Sequence, residues 1–190
     1  MLRFQEPTPE DLDHLLTVAE DHDFSYSDLG STRAGFVPPG YSHDRCSLVL
    51  GPDTCFDAAV SGLKHWAAHK HAGARVFPDD PVSSGATHII VSRVGPLWVL
   101  APVRLVFVTD RLHHPDSFSF AYGTLPGHPE QGEQCFTVQS KSGGEVEFEV
   151  VAFYRPGELF AKAVGRVTTS LQHTLTRRYL EGLRSHVAAT

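Results

Sequence analysis

The chain has 190 residues, 41% hydrophobic and 20% charged, with a formal net charge of −6. That composition fits one soluble domain with a full core, and the acidic balance excludes nucleic acid, which selects basic surfaces. Three cysteines (Cys46, Cys55, Cys135) without paired spacing exclude a disulfide framework or zinc ribbon and point to reduced thiols in the cytoplasm. The first ten residues hold acids and no apolar run, so no signal peptide is expected. The apolar run Val94–Val108 is broken by Gly95, Pro96, Pro102 and Arg104, which excludes a membrane span.

Thr8-Pro9-Glu10-Asp11 reads as a helix start: a hydroxyl cap, a proline at the first helical position, then acids at the positive dipole end. Leu12, Leu15, Leu16 and Ala19 give that helix its stripe. From Asp23 to Gly40 the composition turns to Ser, Gly and Pro, an irregular arm whose Phe24, Tyr26, Phe36 and Tyr41 need a surface to pack on. Ser42–Leu50 is the first strand. A helix capped by Asp53 or Thr54 follows, with Phe56, Ala59, Val60, Leu63 and Trp66 at i, i+3, i+4 spacing. Beyond Gly73 the period switches to two, with strands near 75–77, 86–94, 97–109, 117–124, 133–140 and 145–154. Pro156-Gly157 ends the sheet, and a long helix runs to about Ser185 on the stripe Val164, Val167, Leu171, Leu175, Tyr179. Gly165 is a candidate kink, and Ala161, Ala163, Gly165 and Ser170 are small enough to leave room beside the helix.

The last two strands set a register. Val146, Phe148, Val150, Ala152 and Tyr154 alternate with Glu145, Glu147 and Glu149, one face for the core and one for water. A two-residue loop at Gly143-Gly144 would place Val138 beside Glu149. A three-residue loop, Ser142-Gly143-Gly144, pairs Val138 with Phe148 and is expected, with a glycine in the left-handed position.

Helices segregated from a run of strands mean α+β. A curved antiparallel sheet of about seven strands around one long C-terminal helix is a helix-grip arrangement. The expected organisation is a helix and arm over residues 1–40 packed on a helix-grip domain over 41–190.

Four segments carry a family resemblance: YSHDR at 41–45, FAYGTLPGHPEQGE at 120–133, AFYRP at 152–156 and RRYLEGL at 177–183. Together they resemble the bacterial and plant family of domain of unknown function nineteen-ninety, from about Tyr41 to the C-terminus. Residues 1–40 match that family less well, and the histidine-rich stretch 65–71 is particular to this chain. The resemblance implies a fold like that of the START, polyketide-cyclase and birch-pollen-allergen superfamily. Most members of that superfamily bind apolar small molecules between sheet and helix; some are enzymes.

The stretch Phe118–Glu133 concentrates the unusual chemistry. His128, Glu130 and Glu133 lie within six residues of one another, beside Tyr122. They are the candidate acid/base groups, set against a purely structural turn in which Glu133 pairs with Arg155. Tyr122, Thr124, His128, Arg155 and His43 are the candidate polar ligand contacts; Phe120 and Phe148 are candidate apolar ones. Ser42-His43-Asp44 has triad residue types, but neighbours on a strand diverge. His65, His69 and His71 have a helical metal spacing without a third ligand and read as a solvated helix end; no metal or cofactor is expected. Three readings follow: a binder of a lipid-, isoprenoid- or aromatic-like molecule, an enzyme of cyclase, hydrolase or isomerase type on His128 with Glu130 or Glu133, and a protein-interaction module with a collapsed cavity.

Overall fold

The computed structural model describes residues 1–109, 111–157 and 167–190, with side chains of the final stretch described from His173 onward. Strand β1 (Leu2–Arg3) precedes helix α1 (Pro9–Glu20) and the single-turn α2 (Ser31–Ala34). Next come β2 (Ser42–Pro52), a short 3-10 turn (Asp53–Cys55), α3 (Phe56–Lys64) and α4 (Ala67–His71). The remaining strands are β3 (Arg75–Phe77), β4 (Thr87–Val94), β5 (Leu97–Val108), β6 (Ser117–Thr124), β7 (Glu130–Ser140) and β8 (Glu145–Pro156). Helix α5 (Val167–Ala188) closes the chain. No helix among the described residues is long and apolar enough to cross a membrane.

Seven strands form one antiparallel sheet in the order β2-β8-β7-β6-β5-β4-β3, and β1 adds to β5 through Leu2↔Val99 and Arg3↔Trp98. Register shifts between Val49 and Gly51 and between Leu105 and Phe107 mark bulges, which bend a sheet and sharpen its twist. The β7–β8 hairpin has the expected loop. Val138 opposes Phe148, Lys141 N donates to Glu145 O at 2.8 Å, Gly144 N donates to Lys141 O at 2.9 Å, and Gly144 has φ +81°.

The inner face carries Phe118, Phe120, Tyr122, Phe136, Val138, Phe148 and Val150, all buried against α3, α4 and the Tyr179, Leu180 and Leu183 of α5. This is a helix-grip arrangement. Gly182 allows the α4–α5 approach: a Cβ there would sit 2.5 Å from Ala68 O. The stripe positions Val164, Gly165, Ala161 and Ala163, and the side chains of Val167, Ser170 and Leu171, lie outside the described residues.

The outer face is covered too. Leu12, Leu15, Leu16 and Ala19 of α1, capped by Thr8 with a reciprocal Asp11 bond, pack on Ile89, Val91, Leu100 and Trp98. The arm then crosses β6–β8: Phe24, Tyr26, Phe153 and Tyr41 form a chain of edge-to-face rings with centroids 5.2–5.9 Å apart. Phe36, by contrast, is exposed. On the water-facing side of β8 the glutamates and Arg155 stay at least partly exposed, while Phe153 on the same side is buried.

The expected helix through Trp66 is broken. Trp66 adopts φ +62°, a left-handed conformation costly for a bulky residue, and it ends α3 before α4 begins. The reorientation turns His69 inward: it is wholly buried among Trp66, Tyr122, Phe136 and Tyr179, with ring centroids 4.4–5.8 Å away. A solvated end does not describe it. Periodicity assumes one continuous helical frame, and the Trp66 turn resets that frame.

Candidate functional site

Between the inner face and α5 lies a cavity of about 340 Å³. Its apolar wall includes Ile90, Val99, Ala101, Ala152 and Leu175, and Leu2 of β1 reaches it as well. Tyr122, Thr124, His128, Glu130, Gln134 and Tyr179 contribute polar atoms. Alternation along the strands explains the set. Tyr122, Gln134 and Ala152 fall on the inner side of paired strands, with Tyr122↔Gln134 and Gln134↔Ala152 directly opposed.

The polar groups form a network. Tyr122 Oη donates to Gln134 Oε1 at 2.8 Å, lies 3.4 Å from His69 Nε2 and shares a hydroxyl hydrogen bond with Tyr179. Among the described residues, Gln134 Nε2 and His69 Nδ1 are buried without a hydrogen-bond partner. Burial pushes the Tyr122 phenol well above its ordinary range and Tyr179 up to about 12. Desolvation, with a smaller push from His88, lowers His69 to about 3 and keeps it neutral.

His128 and Glu130 lie at the turn into β7. His128 Nδ1 accepts from Glu130 N at 2.9 Å. Burial and then the nearby Met1 ammonium lower its pKa to about 3. Burial alone raises the Glu130 carboxyl to about 7.

Glu133 borders the cavity through β7, but its carboxylate serves the outer face. Oε2 accepts from Tyr26 Oη at 2.8 Å and Gly30 N at 2.7 Å, and Oε1 accepts from Thr32 N at 3.1 Å and from the Thr32 hydroxyl. Arg155 does not pair with it; that guanidinium bonds Gln131 Oε1 at 2.9 Å and lies over the Tyr41 ring. Thr124 Oγ1 accepts from Gly132 N at 3.0 Å and sits 2.6 Å from Ser25 Oγ.

The turn 122–133 thus brings Tyr122, Thr124, His128 and Glu130 to one cavity. His43, opposite Phe153 on β2, is exposed; with Arg155 it lies away from the cavity lining. Phe120 and Phe148 are fully buried in the aromatic core. Gln134 and Tyr179 are the functional candidates that sequence reasoning passes over, and His69 is one it reads as a solvated helix end. Gln134 has one legible sign: a polar residue on the side that bears Phe136 and Val138.

A model of one family matches residues 25–182, most of the chain: Domain of unknown function (DUF1990). The chain belongs to the DUF1990 family. A UPF0548 protein of Arabidopsis thaliana is 30% identical to it over 156 residues, 78% of this chain and 74% of that one. Among solved structures, a hypothetical protein of Helicobacter pylori is similar with TM-score 0.56 at 10% identity, covering 78% of this chain and 90% of that one. A protein of Thermus thermophilus is similar with TM-score 0.55 at 13% identity, covering 78% of this chain and 98% of that one. At such identities the structural likeness concerns the fold alone, and it agrees with the helix-grip arrangement of this DUF1990 chain.

Proposed function

We propose that this DUF1990 protein binds an apolar or amphipathic small molecule in the sheet–helix cavity. The observation that carries the reading is the cavity itself: about 340 Å³, within the range of small-molecule sites, with aliphatic walls and the Tyr122–Gln134–Tyr179 hydrogen-bond network in its lining. The expected ligand has a hydrocarbon or aromatic body and a single hydroxyl or carbonyl, which meets the Tyr122–Gln134–Tyr179 network. The buried, unpartnered Gln134 Nε2 supports an acceptor on the ligand, because buried donors are rarely left unsatisfied. A cavity of this volume weighs against an interaction module with a collapsed interior.

Native mass spectrometry of the protein isolated from its own host tests the reading. The expected result is a reproducible adduct of small-molecule mass that is lost in Ala152→Trp, which fills the cavity. A clean apo mass, together with no uptake of an apolar fluorescent probe by wild type, overturns it.

A second reading has its own observation. Glu130 is held near neutrality in a cavity wall, where a carboxyl group is suited to general acid/base work. Under this reading Glu130→Gln abolishes turnover of a cavity ligand while leaving its binding intact. Equal turnover by Glu130→Gln and wild type removes Glu130 as the acid/base group, and no turnover by wild type removes the enzyme reading and leaves the binder.

A further inference from the structure

Asp44 and Cys46 are two residues apart on β2, so both side chains leave the same side of the strand. That side faces the core and α5, as the packing of Cys46, Leu48 and Leu50 against it shows. His173 comes from α5, 129 residues beyond Asp44. Its Nδ1 lies 3.2 Å from Asp44 Oδ1, and Cys46 Sγ lies 3.7 Å from the same oxygen. The three donor atoms are all within 4.8 Å of one another, and no other group of three or more His, Cys, Asp or Glu side chains among the described residues converges this way.

A tetrahedral zinc ion holds sulfur at about 2.3 Å and nitrogen or oxygen at about 2.0–2.2 Å, which spaces its ligand atoms about 3.3–3.6 Å apart. The two measured separations bracket that spacing. A second observation favours a cation at this place. Asp44 Oδ2 is shielded from solvent and has no hydrogen-bond partner among the described residues, a costly state for a carboxylate oxygen unless positive charge compensates it.

We propose that Asp44, Cys46 and His173 form a three-ligand site for a borderline-soft divalent cation such as zinc, clipping the edge strand β2 to the C-terminal helix. The mixed thiolate, imidazole and carboxylate set suits zinc over magnesium or calcium, which prefer oxygen alone. His173 is about half exposed, so water completes the coordination. Binding releases the thiol proton, and affinity therefore rises with pH. The ion ties the edge strand to the helix whose Leu175 lines the cavity.

The test titrates Co²⁺, a coloured stand-in for zinc, into the full chain after treatment with a chelator. The expected result is one equivalent bound with a thiolate-to-metal charge-transfer band that zinc displaces. Cys46→Ser abolishes the band, and His173→Ala weakens binding at least tenfold. Cys55→Ser leaves both unchanged. In wild-type protein zinc protects Cys46, but not Cys55, from alkylation mapped by peptide mass spectrometry; this arm decides the matter if Cys46→Ser fails to fold. A band that survives Cys46→Ser, binding that persists in His173→Ala, or Cys46 alkylation unaffected by zinc overturns the proposal. In the second case the metal sits on other imidazoles, such as His71 and His186, whose ring centroids lie 5.9 Å apart.

Discussion

Tyr26 Oη donates to Glu133 Oε2 at 2.8 Å, joining the arm to the middle of the sheet across 107 residues of sequence. Both residues are buried. Gly123 makes the contact possible: its missing side chain leaves the space that the Tyr26 hydroxyl occupies. The four donors around the Glu133 carboxylate stabilise its charge through hydrogen bonds rather than through an ion pair.

Removing the latch destabilises the fold. Tyr26→Phe deletes one bond to a charged acceptor and is expected to cost about 2 kcal/mol. Glu133→Ala strands the donors of Gly30 and Thr32 as well and costs more, about 3–4 kcal/mol. Urea midpoints at unchanged slope measure both. A midpoint for Glu133→Ala equal to wild type removes the latch from the account of stability.

Phe148→Ala empties the middle of the inner face, where the wild-type ring is wholly buried beside Phe136 at a centroid distance of 6.4 Å. The expected cost is about 3–5 kcal/mol, read from the same urea curves.

Gly182→Ala sets two effects against each other. Helix propensity favours alanine by about 1 kcal/mol, but the new methyl lies 2.5 Å from Ala68 O, a contact that requires α4 and α5 to separate. Overpacking of this kind costs about 1–3 kcal/mol, so the melting temperature is expected to fall. A rise in that temperature shows that the helices separate at little cost.

Stability depends on pH from two directions. His69 and His128 are held near a pKa of about 3 in the fold against about 6.5 unfolded. The unfolded chain therefore binds protons first, and stability falls as pH drops from about 6.5 toward 3. Glu130 acts oppositely. Its carboxyl is raised from 4.5 to about 7, so the folded state is the better proton acceptor and stability falls as pH rises through that interval. In chemical denaturation across pH, His69→Phe flattens the acid limb and Glu130→Gln flattens the decline toward neutrality. Unchanged slopes in both variants contradict these burial effects.

Much of the fold is legible in the sequence because period and punctuation agree. Thr8-Pro9 marks a helix start, and the Glu145–Tyr154 alternation fixes a register to the residue. The site is legible only in part. Tyr122, Thr124, His128 and Glu130 share one turn, and their proximity in sequence survives in space. Gln134 and Tyr179 join them only through strand pairing and helix docking, which no local pattern encodes. Periodicity misplaces His69 because one left-handed tryptophan rotates its helix. Strand adjacency points Glu133 at Arg155, whereas its partners come from the arm, more than a hundred residues earlier.

The latch has a consequence for the order in which the molecule is made. Synthesis runs from the N-terminus, so Tyr26 and Thr32 emerge long before β7 supplies the carboxylate they grip. Pairings this distant along a chain close slowly, and the arm has no sheet to cover until most of the strands exist. The clasp over the outer face is therefore among the last parts to settle, and until it does Phe24, Tyr26 and Tyr41 remain open to chaperones or to neighbouring nascent chains.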